Sequence, residues 1–353
     1  MIAAVAIVAC ENLCKTYRVS AKRAGVRGTL AHFVRRKYRE IPAVRDVSLS
    51  IEPGEVVGFL GANGAGKTTT LKMLTGLMHP SSGTVVVAGF EPFKREAEFR
   101  RRITLVMGQK QQLLWDLPAM DSLRVNAALY DIPRAEAQAR IAELTGLLNL
   151  EQELTQPVRK LSLGQRMKAE LVAALLHHPR VLFLDEPTLG LDVNAQTAVR
   201  SFLAEYNAKH GAAILLTSHY MADVTALCKR VILIHEGRLV YDGPLAEIVR
   251  RYAPFREVKL DFGEGHGVTR AALSAYGEVE AFEGREARLL VPREGLTATV
   301  NRLLAGFAVH DLTVQDPPIE GVMARLMSGG EAMADPARGP GRVADEAEAG
   351  AGI

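Results

Sequence analysis

The stretch Gly61-Ala62-Asn63-Gly64-Ala65-Gly66-Lys67-Thr68 decides how this chain is read. It follows the apolar run Val56–Leu60 and precedes the helical pattern Thr68–Leu77, which places it on a strand-to-helix turn and matches the P-loop pattern. Glycines at such a turn let successive backbone N–H groups curl around phosphate oxygens where side chains would block the approach. Lys67 is placed to reach the terminal phosphates of a nucleotide, and the Thr68 hydroxyl to ligate Mg²⁺. The helix start adds a favourable field for an anion. The expected nucleotide-binding set is therefore Gly61, Ala62, Asn63, Gly64, Ala65, Gly66, Lys67, Thr68 and Thr69. A ligand-free glycine-rich turn is the alternative, and strand, helix and Lys-Thr together argue against it.

A second cluster lies at Val181-Leu182-Phe183-Leu184-Asp185-Glu186. Four apolar residues followed by two carboxylates describe a strand buried on both faces that delivers acids at its carboxyl edge, where α/β proteins bind ligands. Asp185 would hold Mg²⁺, mostly through water, and Glu186 would polarise an attacking water as general base. A strand ending in a solvated acidic turn is the plain alternative. Together the two segments define a nucleoside triphosphatase and nothing narrower.

Outward from these segments, Glu55–Leu60, Val181–Asp185, Ala213–Thr217 and Val231–His235 read as strands alternating with helical patterns such as Ala137–Leu148. Pro53-Gly54 and Glu236-Gly237 read as turns. An α/β domain over residues 1–250 is expected, with a first strand at Ile7–Leu13. Met1–Ala9 is apolar but lacks a basic start and runs straight into that strand, so it reads as an overhang and not as a signal peptide. After Tyr252-Ala253-Pro254 the texture changes. Glu257–Phe262, Ala287–Val291 and Leu312–Gln315 read as strands, and Thr269–Tyr276, Thr297–Ala305 and Ile319–Met327 as helices. That β-α-β-α-β-α order predicts a small α+β domain over residues 251–328, and the Gly-, Ala-, Pro- and acid-rich remainder, 329–353, predicts a disordered tail.

The bulk numbers agree with one large and one smaller domain in 353 residues. A net charge of +3 is too small to imply nucleic acid. Cys10, Cys14 and Cys228 form neither a metal-spaced set nor a disulfide framework, which points to a reducing compartment. No apolar run approaches the roughly 20 residues that span a bilayer.

The narrowing comes from Leu161-Ser162-Leu163-Gly164-Gln165-Arg166, which resembles the Leu-Ser-Gly-Gly-Gln signature of ABC ATPases, with Leu163 standing at the first glycine. The resemblance spans residues 7 to 245. It implies a P-loop NTPase fold of the ABC type with a helical subdomain, binding ATP and Mg²⁺ between two copies or two related chains. On that model Ser162, Gly164 and Gln165 face the γ-phosphate of the partner's nucleotide. Tyr17 matches the aromatic residue that stacks on adenine. Gln109 looks like the glutamine that senses Mg²⁺ and the attacking water, with Gln111 and Gln112 as nearby alternatives. Leu189-Gly190-Leu191-Asp192 resembles the loop through which the subunits communicate, and His219 matches the switch histidine on the γ-phosphate. The implied catalytic set is Glu186, His219, Gln109 and Lys67, and the implied metal set Thr68, Gln109 and Asp185.

Two features bear on partners. The segment Lys22–Arg39, within an insert over residues 20–41, is strongly basic, and Leu30, Phe33, Val34, Tyr38 and Ile41 recur at helical spacing. It reads as a basic amphipathic helix, resting on inner-leaflet lipid or a permease, or else packed on its own domain. Leu113-Leu114-Trp115-Asp116-Leu117-Pro118 holds the only tryptophan and reads either as a docking groove or as core of the helical subdomain.

The whole pattern is similar to ATPase subunits of ABC-2-type exporters, above all the group associated with viologen export, and more distantly the sodium-efflux and daunorubicin-resistance ATPases. That implies export through separate membrane permease subunits, a homodimer or heterodimer of ATPase subunits, and a place at the cytoplasmic face of the membrane. No nucleic-acid partner is expected. An importer ATPase is the near alternative, and a soluble ABC ATPase acting on nucleic acid or ribosomes the distant one.

Overall fold

The computed structural model describes residues 6–20, 38–108, 112–218, 220–252, 254–263 and 267–317. The chain divides into two compact units, Met1–Glu247 and Ile248–Ile353.

In the first unit an antiparallel sheet, ordered β2-β1-β4, is built from β1 (Val8–Ser20), β2 (Tyr38–Ile51) and β4 (Ser82–Val87). A six-stranded sheet has the order β5-β6-β7-β3-β8-β9. Its members are β3 (Val56–Leu60), β5 (Ile103–Met107), β6 (Val181–Asp185), β7 (Ala213–Thr217), β8 (Arg230–His235) and β9 (Arg238–Pro244). All pairs are parallel except β8 with β9. The parallel strands read as continuous apolar runs because both faces are covered: Val181 through Leu184 and all five residues of β7 are buried. The Glu236-Gly237 turn expected between β8 and β9 is present, both residues taking positive φ.

Helices α1 (Lys67–Leu74), α2 (Ala97–Arg102), α6 (Val193–His210) and α7 (Met221–Leu227) accompany the six-stranded sheet. Between β5 and β6 the chain forms α3 (Ala119–Leu129), α4 (Arg134–Leu148) and α5 (Leu163–Leu175), which pack on one another as a helical subdomain. The stripe of α4 at Ala137, Ile141, Leu144 and Leu148 is buried at the 3.6-residue period. α8 (Leu245–Tyr252) follows, and the division between the units falls inside it.

The second unit runs β10 (Phe255–Asp261), α9 (Arg270–Leu273), β11 (Glu278–Glu283), β12 (Glu286–Pro292), α10 (Leu296–Gly306) and β13 (Asp311–Gln315). The antiparallel sheet order β11-β12-β10-β13 with this β-α-β-β-α-β succession is the ferredoxin-like split βαβ arrangement. One sheet face, carrying Val258, Leu260, Ala287, Leu289 and Val291, forms its core with Leu273 and Leu303.

Three sequence expectations change here. Strand β11 was absent from the expected order, because Glu278-Val-Glu-Ala-Phe-Glu is acidic and holds few β-branched residues; a bulge between Val279 and Ala281 and pairing with β12 make it a strand. The helix Thr269–Tyr276 contracts to Arg270–Leu273. Tyr38 and Ile41 do not continue an amphipathic helix: they lie in β2, exposed, opposite Ser20 and Tyr17 of β1. Cross-strand pairing overrides the helical spacing at that end of the insert, and residues 21–37 lie outside the described residues, as do the expected helix Ile319–Met327 and the 329–353 tail.

Candidate functional site

The site assembles at the carboxyl edge of the parallel sheet, where β3 and β6 end. After Leu60 the chain turns through residues 61–66 into α1. Gly66 has φ 110°, and a Cβ there would stand 2.6 Å from the Ala43 carbonyl oxygen of β2, so only glycine fits the tight pass. The β8–β9 turn braces the loop from the other side, the Gly237 N–H donating to the Ala65 carbonyl at 2.9 Å.

Lys67 is buried, and its ammonium donates to the carbonyls of Gly61 at 2.6 Å and Ala62 at 3.1 Å. Burial pulls its pKa below the usual lysine value, while the charges of Glu186 and Asp185 pull it back. Next to it an open hollow of about 160 Å³ is lined by Ala43, Asn63, Gly64, Gly66, Lys67, Thr68, Thr69 and Glu186.

Strand β6 brings in the carboxylates. Thr68 Oγ1 donates to Asp185 Oδ2 at 3.0 Å, joining residues 117 apart in sequence, and Thr217 Oγ1 at the end of β7 donates to Asp185 Oδ1 at 2.7 Å. Both carboxylate oxygens are thus aimed by hydroxyls. These hard oxygen donors, Thr68 Oγ1 and Asp185 Oδ2, fit a Mg²⁺ ion, which prefers oxygen ligands and keeps its waters.

Glu186 takes φ 56°, uncommon for a residue with a side chain, and its N–H donates to the Thr217 carbonyl and hydroxyl, both at 3.1 Å. Gly108, just beyond β5, packs beneath it: a Cβ there would come within 2.5 Å of the Glu186 carbonyl oxygen. A cleft of about 350 Å³ lined by Thr68, Lys72, Met107, Gly108, Asp185, Glu186 and Leu189 opens in front of the pair. A polarised water between a fixed cation, a hydroxyl and two carboxylates is what phosphoryl transfer to water needs.

Tyr17 lies beside this group, its hydroxyl 3.3 Å from Thr69 Oγ1 and donating to Met78 Sδ at 3.2 Å. Lys67, Thr68, Thr69, Asp185, Glu186 and Tyr17 therefore share one neighbourhood. The remaining candidates sit elsewhere. Ser162 caps α5 in a capping box, its hydroxyl accepting from Gln165 N–H at 3.2 Å while Gln165 Oε1 accepts from Ser162 N–H at 2.9 Å. Gln165 Nε2 also donates to Glu153. Gly164 is buried, and Leu163 stands exposed at the helix start with Cδ2 over Gly190. Asp192 caps α6 through the Ala195 N–H. Among the described residues no hydrogen bond joins Ser162, Gly164, Gln165 or Asp192 to residues 61–69. Gln109, Gln111 and His219 lie outside the described residues; Gln112 is described, and its backbone N–H is held by Glu170 of α5.

Sequence reasoning missed Thr217, Gly108 and a buried polar knot around Asp223. The Asp223 carboxylate accepts from Ser218 Oγ at 2.7 Å, from Arg200 Nη1 at 2.9 Å and from Thr188 Oγ1, tying β7, α6 and the segment after Glu186 to α7. The three partners come from three separate stretches of chain, so no local spacing announces the knot.

Comparison with known proteins adds the following. A family model described as "ABC transporter" matches residues 44–189, and one described as "EvrA-like ABC transporter, C-terminal domain" matches residues 254–315. The chain is 40% identical over 212 residues to the ABC transporter ATP-binding protein NatA of Bacillus subtilis, covering 60% of this chain and 86% of that one. It is 36% identical over 253 residues to the Nod factor export ATP-binding protein I of Burkholderia orbicola, covering 70% and 79%. It is 29% identical over 304 residues to the linearmycin resistance ATP-binding protein LnrL of Bacillus subtilis, covering 84% and 97%. A solved ATP-binding subunit of an ABC transporter superposes with a TM-score of 0.57 at 27% identity, over 70% of this chain and 93% of that one.

Proposed function

Because this chain belongs to the family of ABC transporter ATP-binding proteins, we propose that it hydrolyses ATP to drive export through separate membrane-spanning subunits, working as a dimer. The carrying observation is the Thr68–Asp185 hydrogen bond, which joins the phosphate-binding loop to the acidic strand end beside Glu186. Export rests on relatives whose names state it or state resistance to a toxic compound.

Lys67 neutralises phosphate charge and Glu186 orients and deprotonates the attacking water. Thr68 and Asp185 would hold Mg²⁺, which supplies Lewis-acid stabilisation of the phosphate oxygens when bound. Gln109 and His219 complete the set on the γ-phosphate side. Ser162, Gly164 and Gln165 act in trans: Ser162 is exposed at the start of α5 and no hydrogen bond among the described residues joins it to residues 61–69, which supports a second chain supplying that wall of the site. The ATPase domain is assigned to residues 1–250, an accessory domain to 251–328 and a tail to 329–353.

The membrane partner docks, on this reading, at Leu114, Trp115 and Leu117, and their exposure supports it. This favours the docking reading of that run over the core reading, since a core tryptophan would be covered. No helix among the described residues is long and apolar enough to cross a membrane. On this reading the chain sits at the cytoplasmic face of the membrane, held there by separate permease subunits that form the passage.

The test is size-exclusion chromatography of Glu186→Gln with and without Mg-ATP, followed by transport in inverted vesicles containing the co-purified membrane subunits. An ATP-dependent dimer that binds but does not turn over ATP is expected. A strict monomer with ATP refutes the shared site, and ATP-driven uptake absent from inverted vesicles but present in right-side-out ones refutes export.

A further inference from the structure

Glu170 sits in the middle of α5 with 4% of its surface exposed, among Ala169, Leu171, Val172 and Ala173, all buried. A buried carboxylate is costly unless its oxygens are taken up by donors. Both are. The Gln112 N–H donates to Oε1 and Oε2 at 3.0 and 2.9 Å, and the Leu113 N–H to Oε1 at 3.3 Å. Burial raises the Glu170 pKa while these two backbone bonds and Arg166 work against the rise.

Residues 112–117 are pinned to the helical subdomain at further points. Leu114 N–H donates to Ser122 Oγ of α3 at 3.2 Å, Arg159 N–H to the Trp115 carbonyl at 3.0 Å, and Val158 N–H to the Leu117 carbonyl at 3.0 Å. The Arg166 guanidinium of α5 lies 5.4 Å from the Trp115 ring centroid. On the other side Gly108 N–H is held by the Asp185 carbonyl at 3.0 Å, so it belongs to the sheet edge. Only residues 109–111 separate an anchor on the acidic strand from an anchor on α5. The same α5 carries Ser162, Leu163 and Gly164 at its start.

Resting on the reading of α5 as part of the ATP site, we infer that Glu170 is a positioning residue, fastening residues 112–113 and the Trp115 surface to the signature helix. A displacement of α5 is then carried to residues 112–117, and a partner seated on Trp115 pulls on the same lever. An alanine would keep the helix but leave a void and could not hold the two N–H groups. Asp223 ties α6 and the segments after β6 and β7 to α7, whereas Glu170 ties the segment after β5 to α5.

Trp115 is the only tryptophan, so its fluorescence reports this segment directly in the full-length chain. Wild type and Glu186→Gln should show a change in emission and acrylamide quenching on adding Mg-ATP. Glu170→Gln should bind ATP within about twofold of wild type, lose most of that emission change, and turn over ATP about tenfold slower with KM little altered, as for a lost buried charged hydrogen bond. Gln112→Pro, which removes the principal donor and leaves α5 intact, should reproduce the effect if Glu170→Gln folds poorly. The inference is overturned if either folded variant keeps the full emission response and wild-type turnover, or if wild type shows no ATP-dependent emission change. Full turnover in Glu186→Gln would instead overturn the functional reading beneath it.

Discussion

The two units use their sheets in opposite ways. Strand β6 is buried on both faces from Val181 to Leu184 and exposes its chemistry only at its end, in Asp185 and Glu186. Strand β10 alternates: Val258 and Leu260 face the core, while Lys259 is exposed on the other side. A parallel sheet gathers its strand ends, loops and helix starts at one edge, so distant residues such as Thr68 and Asp185 meet there. An antiparallel sheet sends alternate strand ends to opposite edges and gathers nothing comparable. The phosphate-binding loop and the carboxylates it meets accordingly lie in the first unit.

The largest expected effect tests that division directly. Lys67→Ala should lower ATP affinity about 100-fold, about 2.7 kcal/mol, by isothermal titration calorimetry, with the melting temperature little changed, since it removes the cation the phosphates meet. Unchanged affinity would move the site away from the strand end. The mirror-image change is Leu289→Ala, a fully buried residue of β12. It should cost the second unit about 3 kcal/mol in urea unfolding and leave ATP affinity unaltered. Lost ATP binding would show that the units are not independent in function.

A third effect lies in the first unit but away from its edge. The His177 ring stacks on Tyr130 at 3.9 Å between centroids, Nε2 lies 3.0 Å from the Ile103 carbonyl, and Nδ1 is buried without a partner. Burial brings its pKa down to about 4. Because the folded value lies below the unfolded one near 6.5, the stabilisation is complete above that pH and fades as pH falls toward 4. A loss of about 3 kcal/mol across this window is expected in urea unfolding, flattened in His177→Gln. An equally steep acid limb in that variant would assign the loss elsewhere. The smallest effect is Thr217→Val, which removes the hydroxyl that aims Asp185 and receives the Glu186 N–H. Turnover should fall about tenfold, about 1.4 kcal/mol, with ATP affinity nearly kept. A wild-type rate would mean that Thr68 alone orients the carboxylate.

How far the site was legible follows from how local each signal is. The residues from Gly61 to Thr68 and from Val181 to Glu186 declare themselves because strand, turn and functional group are contiguous. Thr217, Asp223 and Glu170 do not: Thr217 and Glu170 meet partners 32 and 58 residues away, Asp223 gathers partners 5, 23 and 35 residues away, and their own neighbours are ordinary helix or strand formers. The fold shows the same limit. The buried parallel strands appear as apolar runs, whereas β11 emerges only from its pairing with β12, and Tyr38 and Ile41 keep a helical spacing that their pairing with β1 defeats.

That last pairing has a practical consequence. Ser20 and Tyr38 stand opposite each other at the tip of the β1–β2 ladder, so whatever joins them departs and returns at one spot. Closing a loop across fixed ends costs only slowly more as it lengthens. A change in the length of the joining segment therefore costs little, and the fixed Ser20–Tyr38 pair is a natural socket for grafting a reporter.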